Sequence, residues 1–358
     1  MSVVIVSPSN QIISISSTDV SSNLSVLSSG NSLVNVFSSG TFFNTNIIND
    51  ITNNNININN TNNTNNVIIN NNIPYHTHSI FDISNFNNPI NTHCGRLSLV
   101  SNDPLNSNAI SSILYFTPYF GNQISLYNLV EQKWGIYAFD EISIPLSGMT
   151  PDLNYDIFCY NNSIGLILEI VPWASSSSRN ILLYHKDGIL VKLNEANKKY
   201  LGTIRSISST TTEDTGTRRF LFNYYNQIPK LLIASDSVTH TYASSTIRSY
   251  RNINTLGLTR VEFVNGFTNS LINILCQSRF VLESDTSSVG IALNSNTVFN
   301  TIANNVSIFP FGGPSITLDD SCVDNLIPAV GYNYLQLVQS GSNVSTFYKA
   351  LIKATFLC

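Results

Sequence analysis

Between residues 44 and 73 the chain reads "NTNIINDITNNNININNTNNTNNVIINNNI", and this stretch limits what the whole molecule can be. Asparagine competes with the backbone for hydrogen bonds and holds a helix interior poorly, so a monomeric helix is excluded. Asn-rich tracts are ordinarily disordered. This one keeps inserting β-branched apolar residues (Ile47, Ile51, Ile56, Ile58, Ile68 and Ile73), and Asp50 is its one charge. That pattern favours an ordered stalk of three parallel chains, with Ile toward the axis and Asn pairing between chains. A flexible linker is the alternative. Gly-X-Y repeats are absent, so a collagen triple helix is excluded.

The residues on either side differ in kind. Residues 1–43 alternate apolar residues with Ser and Thr in short bursts: Val4 and Val6, Ile13 and Ile15, Leu24 and Val26, Val34 and Val36. Period two bounded by turn residues predicts short strands. So few residues bury little surface alone, so this segment is expected to be stable against another protein or against copies of itself. From residue 95 onward, aromatic-rich bursts such as "SILYFTPYF", "IGLILEIVPW" and "YNYLQLVQSG" recur between Gly, Pro, Asn and Asp. That spacing predicts an antiparallel β-sandwich or jelly-roll-like head over 95–358, with a subdivision near 197 as one option. The segment "RRFLFNYYNQIPKLL" fits a short helix or a strand equally well. The predicted fold class is therefore all-β: an N-terminal β anchor (1–43), an Asn/Ile-rich fibrous stalk (44–74), a linker (75–94) and the head.

Composition narrows the function. Of the 358 residues, 11% are charged, where soluble domains average about 25%, and the net charge is -4. A basic footprint for nucleic acid is missing. No apolar run reaches the roughly 20 residues of a membrane-spanning helix. The start, "MSVVIVSPSNQ", lacks a basic segment followed by an apolar one, so the expectation is a chain folded in the cytoplasm. Five cysteines (Cys94, Cys159, Cys276, Cys322 and Cys358) without tight spacing argue against a disulfide framework or a zinc site and read as small buried or partly buried thiols.

Catalytic signatures are weak. Glu131, Asp140, Glu141, Asp156 and Glu169 are candidate carboxylates for glycoside hydrolysis, which needs two facing a cleft. Most sit beside turns, as do Glu213 and Asp214 of "TTTEDTG". There is no G-x-S-x-G elbow, no H-E-x-x-H, and "FGGPS" lacks the lysine of a P-loop. The chain is expected not to be an enzyme. For glycan binding, Tyr115, Phe116, Tyr119, Phe120 and the "NYYNQ" of Asn223 to Gln227 combine aromatic and polar groups, although each is also an ordinary packing residue.

Four segments together resemble a known family. "YHTHSIFDISNFNNPI" is similar to the His-Thr-His linkers of bacteriophage tail fibres. "GRLSLVSNDPL" with "LYFTPYFGNQISLYN", then "KKYLGTIRSISSTTTEDTGTRRFLFNYYNQIP", then "GYNYLQLVQSGSNVSTFY" resemble, in order, the distal domain of phage fibres. The resemblance covers residues 75–358. It implies a homotrimeric virion appendage, attached to a tail, neck or capsid platform through residues 1–43 and offering its head to a host glycan or receptor. A head fibre or decoration protein is the alternative, and a polysaccharide-degrading tail spike a further one.

The linker carries the one candidate metal site. His76 and His78 are two positions apart and share a face if extended. Three copies about a threefold axis would bring six imidazoles together, a donor set for an octahedral transition-metal ion. The resemblance implies iron, in a structural role shared by three chains. A pair of solvated polar residues at a boundary is the plain alternative, and His93 is a weaker candidate ligand.

Overall fold

The period-two pattern is realised as strand in both described parts of the chain. The computed structural model describes residues 91–358 except 269–270, 283–284 and 309–315, together with the backbone of seven strands between residues 2 and 71. The protein is all-β, with 61% of its residues in strands and no α-helix among those described. It divides into two units, Met1–Phe86 and Asn87–Cys358.

The first unit contains β1 (Ser2–Ser7), β2 (Ile12–Ser17), β3 (Asn23–Ser29), β4 (Leu33–Ser38), β5 (Asn44–Asp50), β6 (Ile56–Asn60) and β7 (Val67–Asn71). All pairs are parallel, in the orders β1-β3-β5-β7 and β2-β4-β6. Successive strands thus alternate between two sheets, the path of a β-solenoid. Ser2 pairs with Asn23 and Asn23 with Asn44, steps of 21 residues. Thr45 to Val67 and Val34 to Ile56 are steps of 22. The register puts Ile5, Val26, Ile47 and Ile69 in one column and pairs Asn35 with Asn57. Stacking like on like in parallel register suits sequences rich in Asn and Ile. The expected boundary between 43 and 44 is no break in these ladders, because β3 pairs with β5 and β4 with β6 across it. The linker residues His76 and His78 lie outside the described residues.

The second unit is antiparallel with few exceptions and is built in layers, as a sandwich-like head requires. One outer sheet joins Ile142–Pro145, Ile113–Pro118 and Gly95–Ser98. A central sheet carries Asn154–Asn161 and Glu195–Arg205, flanked by Leu166–Pro172, Leu183–Lys186, Ile189–Lys192 and Leu221–Asn223. Asp187 and Gly188, both at positive φ, make the two-residue turn between two of these strands. The central sheet is buried on both faces. Leu201, Leu221, Ile157 and Cys159 pack with Leu97, Phe116 and Ile124 in one core. Their sequence neighbour Phe222 belongs instead to a second core with Phe263, Ile274, Leu335 and Phe356, and Phe158 and Tyr200 to a smaller cluster.

The second core lies under a sheet organised by one strand, Gly331–Leu357. Its first part is flanked by Arg260–Asn265 and Asp285–Leu293, its last part by Pro229–Asp236 and Ile272–Leu282, and His240–Ser249 also pairs with it. The ambiguous "RRFLFNYYNQIPKLL" supplies three strands, Arg218–Arg219, Leu221–Asn223 and the start of Pro229–Asp236, and no helix. Residue 197 falls inside the strand Glu195–Arg205, so the head does not subdivide there.

Gly202 is where the two cores meet. A Cβ at this position would run into the Phe222 carbonyl oxygen and crowd Leu97. Gly202→Val should therefore cost about 3 kcal/mol and lower the melting temperature by several degrees. Gly216→Ala, whose nearest neighbour would be the Ile233 side chain at 3.7 Å, should melt like the parent. Circular dichroism melts of the two variants check this.

Candidate functional site

Four neighbouring strands of the second unit form one sheet face. Ile316–Leu326, Ile272–Leu282, Gly331–Leu357 and Pro229–Asp236 run side by side, and one cross-strand row reads Val323, Leu275, Lys353, Ile233. Alternation puts Ile274, Cys276, Ile352, Ala354 and Leu232 inward, in the second core. The outward row is left uncovered: Val323 is 75% exposed and Ile233 40%.

One end of this face is hollowed. A register shift between Arg279 and Phe280 lets the opposite strand carry an extra residue, Tyr348, between Phe347 and Lys349. Such a bulge bends a strand and re-aims its side chains, and Tyr348 is 39% exposed. With Ser237, Gln277, Ser278, Arg279, Ser321, Lys349 and Leu351 it lines a groove of about 630 Å³. That volume falls in the range of small-ligand sites, roughly 300–1,000 Å³. Arg279 and Lys349 stand directly opposite each other, and Asp319 holds the register position on the far side of Arg279. An exposed Tyr ring, an amide, hydroxyls and two cations suit a hydroxyl-rich ligand bearing carboxylate or phosphate.

The aromatic residues expected to bind glycan are mostly structural. Phe116 is fully buried and stacks on Phe139. Tyr115 is partly buried within the strand Ile113–Pro118. Tyr119 and Phe120 form a surface pair with ring centroids 3.9 Å apart, and Phe120 is 71% exposed. "NYYNQ" acts as a clamp on the chain where it joins the head. Asn223 Oδ1 accepts from the Leu97 amide, and Asn226 Nδ2 donates to the His93 and Gly95 carbonyls. Tyr225 stacks on His93 at 4.1 Å. Burial, then the nearby Lys199, hold His93 well below the usual imidazole range, so it is neutral at pH 7 and packed among rings. No group of three His, Cys, Asp or Glu among the described residues has a metal-holding arrangement.

The candidate carboxylates are dispersed and engaged. Glu131 pairs with Lys133 on the surface, and Asp140 is exposed. Glu141 is partly desolvated, yet donors from Ser101, Thr117 and the Asn102 amide outweigh this and hold it below the usual range. Asp156 is buried, which raises its pKa, against a two-pronged contact from Arg179 and a bond from Thr203. Glu169 is shared by Lys192 and Lys198. Glu213 binds Arg218, and Asp214 is buried between Arg219 and Lys230. Each acid but Asp140 thus meets a cation or several donors, an arrangement that fixes structure.

Comparison with known proteins adds little. No family model matches the chain, and no curated protein does. Among solved structures, a Bacillus thuringiensis Cry1Da tryptic core variant is 9% identical, covering 74% of this chain and 50% of its own, at TM-score 0.20. Latent PorU of Porphyromonas gingivalis is 8% identical over 74% of this chain and 24% of its own, at 0.25. The structure of infectious bursal disease virus, Gx strain, is 11% identical over 72% of both chains, at 0.23. The chain therefore spans half or less of the first two. At such scores the likeness carries no argument about fold or function.

Lys199 is a buried cation whose titration affects stability. It is wholly inaccessible, with Nζ 3.1 Å from the Thr92 carbonyl oxygen and 3.2 Å from Ser125 Oγ, and it lies 4.7 Å from the centre of the Tyr225 ring. Burial pushes its pKa down to about 7; Cys159 and Cys94, the neighbouring acids, act in the opposite direction. An unfolded lysine titrates near 10.4, so between about pH 7 and 10.4 the unfolded chain binds more protons, and stability rises with pH across that window. Lys199→Met should flatten the rise. Melting temperatures at pH 7 and pH 9.5 should differ less in the variant than in the parent, by several degrees.

Proposed function

We propose that the chain is a non-enzymatic, homotrimeric phage fibre, a virion appendage whose head takes part in host recognition. The observation that carries this reading is the groove at Tyr348, Lys349, Arg279 and Gln277 on an open sheet face. The order of a repetitive Asn-rich segment, a His-Thr-His linker and a β-rich head supports it, as does the likeness of residues 75–358 to phage fibres. Residues 1–43 are proposed as the end that joins a tail platform. Attachment to a neck or capsid, as a head fibre or decoration protein, uses the same parts, and gold labelling of the chain on intact particles separates the two. The tail-spike reading ranks behind because the acids named above are tied up in ion pairs and donor sets.

Adsorption provides the test. Full-length purified protein should compete with particles for host cells, and Lys349→Glu should weaken that competition at least tenfold without changing the melting temperature. If Lys349→Glu competes like the parent, the groove is not the receptor site. If the parent does not compete at all, the fibre reading fails.

His76 and His78 remain proposed as ligands of a structural iron-like ion shared by three chains. Elemental analysis of the purified protein should find about one transition-metal ion per three chains. Binding needs neutral imidazole, so the metal should be lost as pH falls below about 6.5. His76→Ala with His78→Ala should remove the metal, lower trimer stability and leave the head folded.

A further inference from the structure

Outside the groove and the clamp, one pair of reactive side chains has a placement of its own. Cys276 lies in the strand Ile272–Leu282 and Cys322 in Ile316–Leu326, and the antiparallel register sets them directly opposite each other. Residues so paired point to the same side of the sheet, and both pack with the second core. Opposed residues of antiparallel strands have Cα atoms about 4.5–5.5 Å apart. Disulfides span Cα separations of about 4.4–6.8 Å. Cys276 is wholly buried, whereas Cys322 is partly exposed. Cys94, Cys159 and Cys358 have no cysteine across from them in any described strand pair.

We propose that Cys276 and Cys322 are a cross-strand redox site, which closes to a disulfide when the protein meets a low-molecular-weight disulfide oxidant. The partly exposed Cys322 reacts first. Its thiolate attacks one sulfur of oxidised glutathione, the glutathione S–S bond breaks, and one glutathione thiolate leaves and takes up the proton. Cys276, the only cysteine facing it across the ladder, then loses its proton and attacks the Cys322 sulfur. The mixed disulfide breaks and the second glutathione leaves. Two protein thiols are oxidised by two electrons, and one oxidised glutathione becomes two reduced ones. Access thus falls to one cysteine and closure to the other, which keeps the reaction from stopping at a glutathione adduct.

The structural effect follows from where Cys322 sits. Its strand pairs in the sheet only with Ile272–Leu282 among the described residues. An edge strand held on one side is the first to part from a sheet. The bond ties it to a strand that is itself paired with Gly331–Leu357. It also closes the loop from residue 276 to residue 322, which restricts the unfolded chain. The inference is independent of the fibre reading, because it uses only the register and the burial of two thiols.

The test uses the full chain. Protein purified under reducing conditions is incubated with oxidised glutathione, unfolded in alkylating agent and mapped by mass spectrometry. The expected result is a linked pair of peptides containing Cys276 and Cys322, with the other three cysteines alkylated. The melting temperature should rise by roughly 5–10 °C, and reductant should reverse the rise. Cys322→Ser should show neither the link nor the shift. Five alkylated cysteines after treatment, glutathione retained on Cys322, or a link to a different cysteine would each overturn the proposal, and none of these readings depends on the variant folding.

Discussion

The head depends on the pairing of a single strand. Gly331–Leu357 lends its hydrogen-bonding edges to five other strands drawn from residues 229 to 293. Its inward residues, among them Leu335, Leu337, Phe347, Ala350, Ile352, Ala354 and Phe356, form a large part of the second core. Contacts of this kind join residues far apart in sequence, so the core cannot close until the end of the chain is in place. The same strand carries the bulge that lifts Tyr348 outward and creates the groove. Architecture and candidate site are thus set by one element, and a register error in it would damage both.

Charge is sparse in this protein and is used inside. With 11% charged residues, the chain still buries Arg96, Lys199, Asp156, Asp214, Arg219 and Lys230. Most of these are matched: Asp214 with Arg219 and Lys230, Asp156 with Arg179. Buried pairs of this kind are poor sources of net stability, but removing one partner strands the other. Lys199 differs, because only neutral oxygens face its ammonium. Other charges stay at the surface in pairs, among them Lys133 with Glu131 and Lys186 with Asp187.

Much of this organisation was legible in the sequence, for identifiable reasons. Alternation and turn residues are local signals, so the all-β class follows directly from "SILYFTPYF", "YNYLQLVQSG" and their like. The solenoid repeat was present but hidden: Val4 and Val6, Leu24 and Val26 were seen as isolated bursts, and the step of 21 residues emerges only when their spacing is measured. Pairing across 43 and 44 was missed because composition changes there while register does not. The groove was not legible at all. Lys349 lies some 70 residues from Gln277 and Arg279 in the chain, and only the register of two distant strands puts them together. "NYYNQ" combines ring and amide as a ligand-binding segment does, but the structure uses both to hold residues 93–97.

That clamp has a mechanical consequence. Any pull on the polypeptide ahead of residue 91 enters the head at Thr92 to Gly95. There it meets the Asn226 amide, the Lys199 ammonium, the ring of Tyr225 stacked on His93, and then the ladder of Gly95–Ser98 against Ile113–Pro118. The load is shared among several polar bonds and one stacked pair before it reaches a strand, so no single bond has to fail last. Substituting any one of these groups should therefore weaken the anchorage of residues 92–95 without releasing it.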